Sequence, residues 1–153
     1  MSSYALYTLR DLRIAEERRA EQALGEAAAI VRRVEIETTR LTAHTVEARA
    51  AEAAARATAS APATAAEAQT VRRFSERLRR ATRAAVEALE RHRAQVVTPA
   101  VRAEAAARAV HLRARQRREV VEKAIARREA LRRREQERRE EAAADDLGQR
   151  RKS

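Results

Sequence analysis

The chain is almost free of residues that end a helix, since its 153 residues include two Gly and two Pro. Between Glu26 and Ala61 there is neither residue, and Pro62 then interrupts the run. Pro lacks a backbone N–H and disfavours helical conformation at the residue before it. We therefore predict a long helix that ends before Pro62. With so few turn residues, the sequence argues against a sheet.

A helix-start signal follows directly after Pro62. Thr64 precedes Glu67 by three residues, which is the spacing of a capping box, where each side chain binds the backbone N–H of the other residue. A helix end followed at once by a helix start predicts a hairpin corner near residues 58–66. A surface loop in an otherwise bent rod is the alternative. The predicted fold is all-α, with two long helices in an antiparallel coiled-coil hairpin.

Composition favours a coiled coil over a globular core. Apolar residues make up 44% of the chain and aromatic residues 2%, and Ala, which buries little area, supplies most of the apolar fraction. Ala, Arg and Glu are strong helix formers. We therefore expect a single elongated coiled-coil domain over residues 1–153, with a disordered tail at residues 149–153.

Apolar residues recur along the first helix at alternating spacings of three and four, as in a coiled coil. The stripe includes Ala23, Ala27, Ile30, Val34, Leu41, His44, Ala48, Ala51 and Ala55, and Glu37 takes the intervening position. A second reading through Leu24, Ala28 and Val31 fits nearly as well. The register of the coiled coil therefore stays open.

The second helix is predicted to be the longer one. Its stripe begins with Val71, Phe74, Leu78, Ala81, Ala85 and Leu89. Pro99 falls inside it, and we expect a kink there, because helical spacing continues beyond it; a fresh helix capped by Thr98 is the alternative. Gly148 marks the expected end of the helix. The last turns should then overhang the N-terminus.

More than half of the net charge of +11 falls within residues 115–139. Glu residues are interleaved with the Arg residues, and neither an aromatic platform nor a zinc-finger, homeodomain or bZIP pattern accompanies them. We therefore favour an acidic protein partner over a nucleic acid. A solvated helix stiffened by ion pairs four residues apart is the alternative that needs no partner.

No pattern in the sequence predicts an active site. The chain has no Cys, and His44, His92 and His111 lack the spacing of a helical metal site. There is no glycine-rich phosphate loop, and a two-helix coiled coil offers no enclosed pocket to shift carboxylate pKa values. We expect no enzyme activity, no cofactor and no metal. Without a membrane-spanning run or a signal-peptide pattern, the expected compartment is the cytoplasm.

Three stretches of the chain resemble the central stalk proteins of type III secretion systems. This family comprises small coiled-coil proteins of the flagellar export apparatus (FliJ-like) and of injectisomes (SctO/YscO-like). The stretches are residues 6–16, residues 74–81, and residues 118–129 together with the Arg/Glu-rich turns that follow. The likeness covers most of the length. The third stretch looks more like the injectisome branch than the flagellar one.

The resemblance implies a non-catalytic stalk that couples a hexameric secretion ATPase to the export gate and stimulates the assembly and activity of the ATPase. It also implies binding of export chaperones, and a location at the cytosolic face of the apparatus. Two alternatives come from the residues alone. One is a basic coiled coil that binds nucleic acid, and the other is a homo-oligomeric structural rod.

The resemblance also implies where each partner binds. Flagellar members contact the gate through a Phe-x3-Leu-x2-Ala-x3-His patch; here Phe74, Leu78 and Ala81 match it, and Ala85 stands where His is expected. From the residues alone, Phe74 could instead fill space beside the small residues of the other helix. The ATPase is expected at residues 4–14 and 118–147. The predicted contacts are Leu6, Leu9, Leu12, Arg118, Glu122, Arg128, Arg132, Glu135 and Arg139.

Overall fold

The structure is a computed structural model that describes residues 3–58, 62 and 64–150. Helix α1 spans Ser3–Thr58, α2 spans Ala65–His92, a π-helical turn spans Arg93–Val97, and α3 spans Thr98–Arg150. No strand occurs in these described ranges. The all-α prediction is therefore confirmed.

The chain divides into two compact units, each of which contains part of α1 and part of the returning helices. The terminal unit consists of Met1–Ala23 and Arg108–Ser153, and the inner unit consists of Leu24–Ala107. Within the inner unit, Thr38 lies beside His92 and Thr45 beside Ala85. Residue numbers that rise in one helix as they fall in the other show antiparallel packing, as the predicted hairpin requires.

The helix stop and restart around Pro62 are as the sequence predicts. Helix α1 ends at Thr58, and Thr64 is an extended N-cap with φ −129° and ψ 157°. The Glu67 N–H donates to Thr64 Oγ1 at 3.2 Å, and the Thr64 N–H donates to Glu67 Oε2 at 3.2 Å. This capping box is confirmed. Residues 59–61 and 63 of the predicted corner lie outside the described residues.

The seam of the inner unit is more polar than the sequence reading assumed. In α1 one line of half-buried and buried residues follows Leu24, Ala27, Val31, Val34, Thr38, Leu41, Thr45, Ala48, Glu52 and Ala55, and Ala28, Ala29, Glu37 and Thr42 beside it are also half-buried. In α2 the corresponding line follows Ser75, Leu78, Thr82, Ala85, Leu89 and His92, and Ala68, Val86 and Ala88 are also half-buried. The first predicted stripe is right at its half-buried and buried members, which are Ala27, Val34, Glu37, Leu41, Ala48, Ala55, Leu78, Ala85 and Leu89. It is wrong at its exposed members, which are Ala23, Ile30, His44, Ala51, Val71, Phe74 and Ala81.

Hydrogen bonds explain why polar residues occupy these positions. Thr82 Oγ1 donates to the Ala48 carbonyl across the seam at 3.2 Å. Thr45 Oγ1 donates to Leu41 in its own helix at 2.8 Å and lies 3.4 Å from the Ala85 carbonyl. A buried hydroxyl with such partners avoids the cost of an unsatisfied polar group. The small side chains also let the two helices approach closely.

The irregularity expected at Pro99 takes the form of the π-helical turn before it. Pro99 has no N–H to offer the carbonyl four residues earlier. The Thr98 N–H instead bonds to the Arg93 carbonyl, five residues back, and the Thr98 hydroxyl donates to the same oxygen at 3.0 Å. The half-buried positions accordingly step from His92 to Val97. The turn inserts one extra residue into the heptad spacing, as a π-bulge does.

In the terminal unit, the beginning of α1 packs beside the later part of α3. Leu6, Ile125 and Arg128 line one small cavity, and Tyr7 donates to Glu129. Residues 131–144 of α3 are all exposed, so the predicted overhang is present. Helix α3 also runs through Gly148 to Arg150, so the end predicted at Gly148 is wrong. The last part of the predicted tail, residues 151–153, lies outside the described residues.

Candidate partner-binding surfaces

The four residues predicted to bind the export gate differ in their exposure. Phe74 has half of its surface exposed and Ala81 is also exposed, whereas Leu78 is half-buried. Ala85 is 4% exposed and packs in the seam of the inner unit. Phe74, Leu78 and Ala81 therefore form one accessible apolar patch, and Ala85, one turn beyond Ala81 along α2, is buried outside it.

Phe74 is exposed because its neighbour takes the seam position. Ser75 and Thr82 point into the seam, and they leave Phe74 and Ala81 one position to the side. The α2 helix in this region has no Gly or Pro, and its capping box fixes where it begins. An exposed aromatic side chain on a rigid helix loses little conformational entropy when a partner covers it. Such residues are typical binding hot spots.

The N-terminal leucines predicted to bind the ATPase are only partly accessible. Leu6 and Leu9 are half-buried in the terminal unit, and Leu12 is 54% exposed. Nearby, the Tyr7 hydroxyl donates to Glu129 Oε1 at 2.6 Å. This hydrogen bond raises the pKa of Tyr7, because ionisation would place a phenolate beside a carboxylate. The contact ties the start of α1 to α3.

Two of the predicted ATPase-binding residues belong to a charge network inside the terminal unit. Arg118 Nε lies 2.8 Å from Glu17 Oε2, and Arg118 Nη1 lies 3.7 Å from Glu122 Oε1. The side chains of Glu17 and Arg118 are 16% and 32% exposed. Arg118 therefore joins α3 to α1, and its charge is already matched by two carboxylates.

The other predicted ATPase-binding residues lie farther along α3. Arg128 is half-buried near Leu6, and Arg132 is exposed beside it. Glu135 and Arg139 are exposed on the overhang. These four residues follow one another at intervals of four and three, which places them on one side of α3, in line with the buried Val121 and Ile125.

One face of α3 carries arginines without any acidic residue, and sequence reasoning did not single it out. We call it the arginine stripe. Its members are Val110, Arg113, Arg117, Val120, Ala124, Arg127, Leu131, Arg134 and Arg138. They follow one another at three- and four-residue intervals, which places them on one side of a helix, and all are exposed. The signal was present in the sequence, but it appears only once the register of α3 is known.

The arginine stripe is free to bind an anionic partner. In the described part of the chain, none of its five arginines forms an ion pair or a side-chain hydrogen bond. The glutamates of this region, such as Glu119 and Glu122, lie on other faces and pair with Arg115 and Arg118. Guanidinium groups on a shared face favour carboxylates or phosphates as partners.

A comparison with models of protein families shows which family the chain belongs to. The model of the flagellar FliJ protein matches residues 1–153. The chain belongs to the FliJ family. No curated protein and no solved structure matches it.

Members of the FliJ family are non-catalytic stalk components of flagellar and type III export systems, and they are linked to the export ATPase. The family match confirms the FliJ-like resemblance, and the injectisome likeness stays a prediction from sequence. In residues 3–58 and 64–150, no helix holds an apolar stretch suited to crossing a membrane. The same residues contain no group of three or more potential metal ligands.

Proposed function

We propose that this FliJ-family chain is the central stalk that couples a hexameric export ATPase to the export gate. The whole-chain family match carries the proposal. The two exposed surfaces support it, because they differ in chemistry and lie in different units. The arginine stripe of the terminal unit suits an acidic partner, and the Phe74 patch of the inner unit suits an apolar one.

The ATPase is proposed to bind the terminal unit through the arginine stripe and the exposed overhang. Long-range attraction between arginines and an acidic ring surface speeds association and orients the stalk. The apolar members Val120 and Leu131 are 66% and 58% exposed and add contact area between the charges. Leu12 extends this surface onto α1. Arg118 contributes indirectly, because it holds the two helices together.

The export gate is proposed to bind the inner unit at Phe74, Leu78 and Ala81. Burial of a half-exposed Phe ring and its neighbours supplies apolar contact area in a small footprint. Export chaperones are a third proposed class of partner, expected from the family resemblance. The work of the stalk is then mechanical and allosteric coupling at the cytosolic face of the apparatus.

The proposal is tested by ATP hydrolysis and hexamer assembly of the cognate ATPase, measured with and without this protein. The double substitution Arg113→Glu and Arg117→Glu reverses the stripe, and we expect it to abolish stimulation. The matched control is Arg32→Glu with Arg33→Glu, since these exposed arginines of α1 give the same change in net charge. Equal loss from both variants would mean that overall charge acts, and no stimulation by the unmodified protein would remove the stalk proposal.

Truncation after Leu131 provides a second test of the ATPase end. The removed part of α3 is exposed wherever its side chains are described, so the packing in the terminal unit should survive. We expect weaker stimulation by the truncated protein together with unchanged helical content per residue. Full stimulation would show that the overhang is not needed for ATPase contact.

Nucleic-acid binding is the alternative that the arginine stripe also favours, because phosphates bind arginine as carboxylates do. It predicts tight binding of unrelated DNA and RNA at physiological salt and a steep loss of affinity with added salt. The stalk proposal predicts weak nucleic-acid binding and saturable binding to the ATPase. Filter binding at several salt concentrations separates the two.

A further inference from the structure

Between Ile36 and Ala57, the outer face of α1 is exposed in the described part of the chain and carries no charged residue. Its members are Ile36, Thr39, Ala43, Val46, Ala50, Ala53 and Ala57, and all are exposed. We call this set the outer stripe. Ile36 is 71% exposed and Val46 is 60% exposed, which is unusual for β-branched aliphatic residues. A shallow groove along Thr39, Ala43 and Val46 follows the same face.

The outer stripe has the spacing of a second coiled-coil seam. Its residues alternate at intervals of three and four, as the seam that faces α2 does, but they lie on the opposite side of α1. From Ile36 to Ala57 it extends about 33 Å at 1.5 Å per residue. Most of its side chains are small, so another helix can approach closely. The stripe therefore fits a helix and not a globular surface.

The charges that flank the outer stripe indicate which helix fits. On one side lie Arg40 and Glu47, and on the other side lie Glu35 and Arg56. A second copy placed antiparallel, with Ala43 opposite Val46, puts Arg40 of each copy beside Glu47 of the other. The same placement puts Glu35 beside Arg56, which also pairs with Glu52 in its own helix. Twofold symmetry repeats each contact, which gives four opposite-charge contacts, while Arg49 faces the neutral Thr42 and Arg33 faces Ala54.

A parallel pair of the same stripes is less complementary. Its flanking contacts would join Glu35 to Arg40 on each side, while Thr42 would face Glu47 and Arg49 would face Ala54. The antiparallel pair gains about twice as many opposite-charge contacts and brings no like charges together. Flanking charges of this kind select partner and orientation in coiled coils.

We propose that the outer stripe of α1 binds a second copy of this chain in an antiparallel, twofold-symmetric helix pair. The interface is a single short helix contact made mostly of Ala, so the dimer should be weak and concentration-dependent. The outer stripe shares no residue with the arginine stripe or with the Phe74 patch, which belong to α3 and to α2. Self-association goes beyond the stalk function proposed above and does not depend on it.

Disulfide trapping tests the orientation directly, since the chain has no Cys of its own. In the proposed pair, Thr39 lies opposite Ala50 of the second copy. A mixture of Thr39→Cys and Ala50→Cys proteins should form the mixed disulfide much faster than either homodimer. Two copies of residue 39 would be separated by about 16 Å along the helix pair, which is too far for a disulfide. Two fast homodimers would overturn the antiparallel arrangement, and the absence of any disulfide would overturn the dimer.

Charge reversal tests the flanking contacts. We expect Glu47→Arg to weaken the dimer on the order of tenfold in sedimentation experiments, because it places two arginines together on both sides of the axis. Adding Arg40→Glu to the same chain should restore the dimer. The control is Glu26→Arg, which occupies the same helical position but would lie beyond Thr58, the last residue of α1, of the second copy. An equal effect of Glu26→Arg, or no rescue by Arg40→Glu, would contradict the proposal.

Discussion

Replacing Glu17 with Gln should destabilise the terminal unit while leaving its outer face unchanged. Glu17 Oε2 forms an ion pair with Arg118, whose Nε lies 2.8 Å away, and the two side chains are 16% and 32% exposed. Fully exposed ion pairs contribute about 0.2–1 kcal/mol, and breaking a buried pair costs about 3–5 kcal/mol. The partial exposure places this pair between these limits, so we expect Glu17→Gln to lower the free energy of unfolding by about 1–2 kcal/mol.

A change of this size is readily measured. In a chain of this length it lowers the melting temperature by roughly 2–8 °C, as followed by far-UV circular dichroism. The double substitution of Glu17 and Arg118 to Gln should cost less than the sum of the single changes, since no charge is then left without its partner. The control is Glu119→Gln, which removes an exposed pair with Arg115 within α3 and should cost about 0.5 kcal/mol or less. Equal effects of Glu17→Gln and Glu119→Gln would refute the structural role of Arg118.

Three further predictions concern single side chains. Phe74→Ala should weaken binding to the export-gate domain by at least tenfold with little change in the free energy of unfolding, whereas Leu89→Ala, in the buried seam, should cost about 2 kcal/mol or more in urea unfolding. Thr64→Ala should cost about 1 kcal/mol, because it removes the N-cap acceptor of α2; no change in the urea midpoint would contradict that role. Since the hydrogen bond to Glu129 raises the pKa of Tyr7 above 10.0, its stabilising effect should be complete below that pH and lost as pH rises further. Spectrophotometric titration should show the late-ionising tyrosine disappear in Tyr7→Phe.

The hairpin could be predicted from sequence because its signals are local. Pro62 stops one helix and the Thr64–Glu67 capping box starts the next, and neither signal depends on packing. The seam positions Val34 and Leu41 of α1 and Leu78 of α2 were also predicted correctly, because each lies on the apolar face of its own helix. The helices between these signals could be predicted from their strong helix formers alone.

The seam register could not be predicted from hydrophobicity, because the more apolar residue is not always the one inside. Val46 and Phe74 are exposed, while Thr45 and Ser75 take the neighbouring seam positions. The hydroxyl of Thr45 finds a carbonyl in its own helix, so its burial costs little and its small size suits a close helix pair. Whether Phe74 or Ser75 enters the seam then decides whether the Phe74 ring is buried or exposed.

The unknown register also explains why the sequence did not reveal the arginine stripe at the proposed ATPase-binding end. Charge density marks residues 115–139 as basic, but it does not separate Arg118, held by Glu17, from Arg117, which faces outward. That distinction requires knowledge of which residues of α3 contact α1. The end of α3 was misplaced for a related reason, since one Gly does not stop a helix whose flanking residues favour it.

The coupling claim is tested most directly by site-specific photo-crosslinking within the assembled export apparatus. A photoreactive residue at Arg117 should crosslink to the ATPase, and one at Phe74 should crosslink to the export gate. Residue Ala85, which is 4% exposed, serves as the buried control and should crosslink to neither. Crosslinks from both surface positions in one complex are the result that the stalk account predicts. Crosslinks from neither position, in an apparatus that contains the protein, would contradict it.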